Sequence, residues 1–105
     1  MIAPTKEEAA KADYGSFPDN YKEIVSAWID DNLVDPYSVR DLKIVSPEKY
    51  WTQDAPIMGG KTTFGYRVQF SLNAKNRMGG YGGKTIFNIL IRNGVVVKDW
   101  KEGEL

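Results

Sequence analysis

The residues whose types most suggest chemistry form a stretch rich in glycine and cations, from Asn73 to Lys84. It ends in Gly83-Lys84-Thr85, which matches the end of the phosphate-binding loop G-x-x-x-x-G-K-[ST]. That motif requires a glycine five positions before Gly83, where this chain has Met78. It also requires a helix after the lysine, to direct backbone N–H groups at phosphates, whereas Thr85 begins a strand-like run. Nucleotide binding is therefore not predicted.

Nucleic-acid binding is a second chemistry open to these cations. Five basic side chains could follow a phosphate backbone, with Tyr81 available for stacking: Arg67, Lys75, Arg77, Lys84 and Arg92. The run from Phe64 to Phe70 partly matches an RNA-recognition strand, but Phe64 stands where that motif has a basic residue and Arg67 where it has a small one. The net charge is zero and the pI is about 6.2. Nucleic acid is therefore not the favoured partner.

Catalytic and metal-binding residue types are scarce. The chain has no cysteine and no histidine, which excludes disulfides, thiolate or imidazole metal ligands and Ser–His–Asp catalysis. The densest acidic cluster, Asp30, Asp31 and Asp35, falls on or just after the polar side of a predicted helix, where a solvated surface is expected. We therefore expect neither an enzyme, nor a cofactor, nor a metal site.

The remaining hypothesis for the glycine-rich loop (residues 73–84) is that it contacts another protein. A tight hairpin needs two to five loop residues and this one has roughly ten, a length at which loops often carry function. Four residues of the loop are predicted to contact a partner: Lys75, Arg77, Tyr81 and Lys84. Tyr81 is the exposed aromatic residue among them. Five are predicted to organise the loop, through amide hydrogen bonds or positive φ angles: Asn73, Asn76, Gly79, Gly80 and Gly83.

Charge is unevenly distributed along the chain. Residues 1–60 carry 11 acidic and 6 basic side chains, and residues 61–105 carry 3 acidic and 8 basic ones. This asymmetry can orient an anionic partner or a second copy of the chain, or the two halves can simply pair within the fold.

One amphipathic helix is predicted over Tyr21–Leu33. Apolar residues at three- and four-residue spacings form its buried stripe: Tyr21, Ile24, Val25, Trp28, Ile29 and Leu33. Asn20 and Glu23 have the spacing of a capping box at its start, and Asp35-Pro36 ends it.

Period-two alternation predicts the strands that flank the loop. Residues 63–73 alternate most clearly, and five apolar residues should face the helix: Phe64, Tyr66, Val68, Phe70 and Leu72. Residues 39–45 predict an edge strand. Residues 47–60 form a long connection that either packs under Tyr50 and Trp51 or holds a short strand.

Asn93-Gly94 predicts a type I′ hairpin between strands over 86–92 and 95–100. An unbroken register places Ile91 opposite Val96, Ile89 opposite Lys98 and Phe87 opposite Trp100. The core face would then hold Phe87, Ile89, Ile91, Val96 and Trp100.

These elements predict an α+β domain, with one N-terminal amphipathic helix packed on a mainly antiparallel sheet of about four strands. Residues 1–17 offer no apolar stripe and predict a flexible tether, followed by a single domain over 18–105.

The loop sequence resembles a group of small uncharacterised bacterial proteins, many of them predicted envelope lipoproteins. The likeness is carried by Asn73-Ala74-Lys75-Asn76, two residues, Gly79-Gly80-Tyr81, one residue and Gly83. Leu33-Val34-Asp35-Pro36-Tyr37-Ser38 is similar to the end of that group's helix. The resemblance implies a periplasmic or outer-membrane-anchored location. An anchor would need a signal peptide and a lipid-bearing cysteine, which these residues lack; without a leader the location would be cytoplasmic.

The expected function is a non-enzymatic, protein-binding domain of the cell envelope whose partner is another envelope protein or a second copy of the chain. One alternative is an inhibitor that inserts the glycine-rich loop into a periplasmic hydrolase. The other is a cytosolic module that binds anions or RNA.

Overall fold

The computed structural model describes residues 3–102 and has α+β architecture, with an antiparallel sheet as predicted. The elements, in chain order, are α1 (Lys6–Lys11), α2 (Tyr21–Asn32), β1 (Arg40–Ile44), β2 (Glu48–Gln53), β3 (Thr62–Asn73), β4 (Thr85–Arg92) and β5 (Val95–Lys101). The sheet has five strands rather than about four. The helix that packs on it, α2, is the second in the chain rather than an N-terminal one.

Strand β2 is the additional strand, and it lies within the predicted long connection. Its six residues pair with β3 from Glu48 opposite Arg67 to Gln53 opposite Thr62. β3 has 12 residues, so the remainder of the same edge accepts β1, where Lys43 lies opposite Ser71. β4 occupies the other edge of β3, and β5 follows it. The long strand β3 is therefore the centre of the sheet.

The main core lies between α2 and one face of this sheet. Seven buried residues form it: Val25, Ile29, Val68, Phe70, Leu72, Ile89 and Ile91. Trp28 packs beside it, edge-on to Phe70 with ring centroids 5.4 Å apart. Its indole N–H donates a 3.1 Å hydrogen bond to Asp99 Oδ2, which joins the helix to β5.

Helix α2 begins without the predicted capping box. Asn20 makes no side-chain cap bond, and its φ and ψ of −94° and 28° depart from the extended conformation that an N-cap side chain needs. Its backbone carbonyl instead accepts the N–H bonds of Glu23 and Ile24. A capping box is present at α1, where the Thr5 hydroxyl accepts from the Glu8 N–H and the Glu8 carboxylate accepts from the Thr5 N–H.

The end of the segment predicted as a tether (residues 1–17) contacts the sheet through Asp13, Tyr14 and Phe17. In its described part, Tyr14 is buried and lies edge-on to Phe64, with ring centroids 5.4 Å apart. The Arg92 guanidinium donates to the carbonyl oxygens of both Asp13 and Phe64. This anchoring was missed because one buried tyrosine, unlike a stripe, gives no periodic signal.

The final hairpin has the predicted turn but a different register. Asn93 and Gly94 have positive φ angles of 49° and 81°, as a type I′ turn requires, and Ile91 lies opposite Val96. A bulge then places Ile89 opposite Asp99 and Asn88 opposite Trp100. The prediction that Trp100 shares the core face with Phe87 is therefore wrong, because one extra residue in β5 moves it to the other face.

A second, smaller cluster covers part of the sheet face opposite α2. Leu90 and Asn88 point to this face and are nevertheless fully buried. The rings of Tyr50 in β2 and Trp100 in β5 stack with centroids 5.8 Å apart, although β3 and β4 lie between those two strands in the sheet. The Arg67 guanidinium lies 4.5 Å from the Tyr50 ring centroid. The sheet must curl for these contacts to form.

Candidate partner-binding loop

The side chain of Asn76 fixes the turn of the glycine-rich loop. Its Oδ1 accepts hydrogen bonds from the backbone N–H groups of Met78 at 2.9 Å and Gly80 at 3.3 Å. Its backbone N–H donates to the Gly80 carbonyl at 2.9 Å, and its carbonyl accepts from the Gly79 N–H at 3.0 Å. Asparagine suits this position because its short amide can bond to backbone groups a few residues onward.

Asn73 closes the base of the loop. Its Oδ1 accepts a 3.1 Å hydrogen bond from the Gly83 N–H, ten residues later. Between base and turn, Lys75 and Tyr81 pair as an isolated antiparallel bridge. The loop is thus held at its base, its middle and its turn.

Two of the three glycines expected to organise the loop have backbone angles that demand glycine. Gly79 and Gly83 have φ angles of 82° and 93°, where a side chain would be strained. Gly80 lies outside that region, and a Cβ there would meet no atom within 4 Å.

Ser38 fastens the loop to the 3₁₀ turn Pro36–Ser38, which follows α2. Its Oγ accepts a 2.8 Å hydrogen bond from the Lys75 N–H, and its carbonyl accepts one of 3.0 Å from the Tyr81 hydroxyl. The same Oγ donates to the Asp35 carbonyl at 2.7 Å. One serine therefore links the turn and the loop, two segments far apart in sequence.

The Tyr81 ring holds cations at this junction. The Arg40 guanidinium lies 3.7 Å from the ring centroid and the Lys75 ammonium 5.9 Å from it. Cations are attracted to the negative face of an aromatic ring. Only 38% of Tyr81 is exposed, so it acts as an anchor as well as a surface residue.

Two apolar side chains beside the junction are almost fully exposed. Tyr37, the residue before Ser38, is 97% exposed, and Met78 in the loop is 93% exposed. The backbone at Tyr37 is held by the hydrogen bond from the Ser38 N–H to the Asp35 carbonyl, and that at Met78 by the bond from its own N–H to Asn76 Oδ1. We call this area the junction surface: Tyr37, Arg40, Lys75, Arg77, Met78 and Tyr81.

The four predicted contact residues divide between two places. Lys75, Arg77 and Tyr81 belong to the junction surface, whereas Lys84 lies at the base of the loop. There it lines two cavities on the sheet face opposite α2, together with Lys43 and Ser71.

Sequence reasoning missed Tyr37, Ser38 and Arg40 as parts of the site. The Pro36-Tyr37-Ser38 turn is visible in the sequence, but its hydrogen bonds to a loop about forty residues later have no local signal.

Within residues 3–102, no three acidic side chains come together as metal ligands would. No helix in that range is long and apolar enough to cross a membrane. Comparison of the chain with protein-family models, curated proteins and solved structures found no match.

Proposed function

We propose that this chain is a non-enzymatic protein-binding domain of the bacterial cell envelope, and that the junction surface is its contact area. The observation that carries the proposal is the 97% exposure of Tyr37 on a turn whose backbone is tied to the glycine-rich loop. Aromatic residues, methionine and arginine are the types enriched at protein interfaces.

The hydrogen bonds beneath the junction surface favour binding. Ordering a loop costs free energy at the moment of association, so a loop that is already held loses less. Asn76 and Ser38 hold the loop from opposite sides. Tyr37 and Met78 can therefore bury apolar area against a partner without a large loss of backbone entropy.

The charge of the surface indicates an acidic partner. Arg40, Lys75 and Arg77 supply cations, and the chain has no Asp or Glu from Lys61 to Arg92. An acidic patch on the partner would be steered toward this surface and oriented by it. An acidic region of a second copy is one source, since residues 1–60 carry the excess of acids.

The envelope location is supported by the resemblance of the loop to small bacterial lipoprotein-like sequences. The proposed compartment is the periplasm, with outer-membrane attachment where a lipid anchor precedes the domain.

A capture experiment tests this function. The wild-type domain and the double variant Tyr37→Ala, Arg77→Ala are immobilised at equal density and exposed to an envelope extract, with Lys22→Ala as the control on the exposed side of α2. We expect one or more proteins to be retained by the wild type and the control, and to be lost from the double variant. Equal retention by all three would refute the junction surface as the contact area.

An inhibitor of a periplasmic hydrolase is the second candidate, favoured by the internal bracing of the loop. A loop that is already held by internal hydrogen bonds can enter an active-site cleft with little loss of conformational entropy. Adding the purified domain to a panel of lysozymes and proteases tests this candidate. Inhibition that is lost in Arg77→Ala supports it, and unchanged activity across the panel counts against it.

A further inference from the structure

The sheet face opposite α2 is covered at one end and open at the other. The stacked rings of Tyr50 and Trp100 cover the end that holds Leu90. At the other end, two neighbouring cavities of about 180 and 210 Å³ share Lys43, Ser71 and Lys84 in their linings. We call this the lysine groove.

The strand register explains why these residues meet. Lys43 of β1 lies opposite Ser71 of β3, and Ser71 lies opposite Ile86 of β4, so the three side chains share one face. Lys84 precedes β4 at the base of the glycine-rich loop. Two lysines from different segments thus line the same two cavities as Ser71.

The two lysines have no fixed counter-charge. Within residues 3–102, neither Lys43 nor Lys84 forms an ion pair, and the Ser71 hydroxyl makes no hydrogen bond. Two ammonium groups and a hydroxyl are the donors that a carboxylate or phosphate accepts.

The two cavities differ in what else they offer an anion. The 180 Å³ cavity is also lined by Asp41, whose carboxylate repels an anion. The 210 Å³ cavity has no acid in its lining and adds Gln69 as a polar group. Val45 and Ile86 supply apolar walls.

We propose that the lysine groove binds a small organic anion, with its oxyanion between Lys43 and Lys84 near Ser71 and a short apolar substituent against Val45 and Ile86. The oxyanion is a carboxylate or a phosphate monoester, since both present acceptor oxygens of similar geometry. This site lies apart from the junction surface, so it stands whether or not that surface binds a protein.

Titration of the isolated, isotope-labelled domain, followed by amide chemical shifts, tests the proposal without a protein partner. The probes are butyrate, butyl phosphate and inorganic phosphate, with butyramide as the uncharged match for butyrate. We expect an alkyl oxyanion to move the amides of Lys43, Ser71 and Lys84 in a saturable way, and to bind more tightly than inorganic phosphate. Whichever of butyrate and butyl phosphate binds more tightly identifies the oxyanion.

Three variants define the groove. Lys84 lies between β3 and β4 rather than within a strand. Lys84→Gln should weaken binding of the best probe roughly tenfold, as expected for the loss of one charge-assisted hydrogen bond. Lys43→Gln should weaken it similarly, and the charge-matched control Lys22→Gln should leave it unchanged. The amide spectrum of each variant reports directly whether it is folded.

Higher salt should also weaken binding, because the attraction is between charges near solvent. Equal shifts with butyramide, tighter binding of inorganic phosphate than of either alkyl anion, or unchanged affinity in both groove variants would overturn the proposal.

Discussion

The hydroxyl of Tyr81 donates a 3.0 Å hydrogen bond to the carbonyl of Ser38, a residue 43 positions earlier in the chain. This bond fastens the glycine-rich loop to the turn that presents Tyr37. Together with the 2.8 Å bond from the Lys75 N–H to Ser38 Oγ, it joins the two halves of the junction surface through Ser38.

Removing the Tyr81 hydroxyl should loosen this contact. Tyr81→Phe keeps the ring beneath Arg40 but deletes the donor, and we expect the free energy of unfolding to fall by about 0.5–1 kcal/mol. Amide exchange in the loop should become faster. Urea denaturation and hydrogen exchange measure the two effects.

Tyr37→Phe is the matched control, since that tyrosine is 97% exposed. It should change neither the free energy of unfolding nor the rate of amide exchange in the loop. Equal behaviour of the two variants would show that the Tyr81 bond does not hold the loop.

Asn76 should organise the loop through its amide oxygen rather than its NH₂ group. Asn76→Ala removes the oxygen that accepts from the backbone N–H groups of Met78 and Gly80. We therefore expect the free energy of unfolding to fall by about 1 kcal/mol and the Gly80 amide to exchange rapidly. Asn76→Asp keeps an acceptor oxygen and should retain the slow exchange. If Asn76→Asp exchanged as rapidly as Asn76→Ala, this account of the loop would be wrong.

Gly65 should be intolerant of any side chain. A Cβ there would lie 2.7 Å from the carbonyl oxygen of Ile91 and 3.1 Å from Leu90 Cγ, in the middle of the sheet. Gly65→Ala should therefore destabilise the domain by about 1–3 kcal/mol. Gly82→Ala is the control, because a Cβ there would meet nothing within 4 Å and its φ is not positive. A similar unfolding midpoint for both variants would contradict the close approach of β3 and β4.

The curl of the sheet predicts an energetic coupling between Tyr50 and Trp100. A double-mutant cycle to leucine at both positions should give a coupling of about 0.5–1.5 kcal/mol, as found for aromatic pairs. The same cycle between Tyr50 and Phe87 should give none, because Phe87 faces α2. Coupling of Trp100 to Phe87, with none to Tyr50, would mean that the bulge in β5 is absent.

Elements with a regular apolar period could be predicted from the sequence. The stripe from Tyr21 to Leu33 indicated α2, whose described bounds are Tyr21–Asn32, and the alternation over 63–73 indicated β3. Asn93-Gly94 indicated the hairpin because type I′ turns require two positive φ angles, which both residues tolerate.

The features that the sequence did not predict depend on contacts between distant segments. The extra residue of the bulge is Val97, because Val96 lies opposite Ile91 and Lys98 opposite Leu90, and in a run of three valines nothing in the sequence marks which one is extra. The sequence left open whether residues 47–60 hold a short strand, and β2 forms there because β3 is long enough to accept two partners on one edge. The site was predicted only as a loop, since its attachment to Ser38 crosses the fold.

Site-specific photo-crosslinking tests the central claim, that the junction surface contacts a partner protein, most directly. A photoreactive amino acid replaces Tyr37, Met78 or, as the control, Lys22, and the cells are irradiated before the envelope fraction is isolated. We predict an adduct of the same mass from positions 37 and 78, none from position 22, and loss of both adducts when Arg77→Glu is added. Adducts at position 22 alone, or equal adducts at all three positions that persist with Arg77→Glu, would contradict the claim.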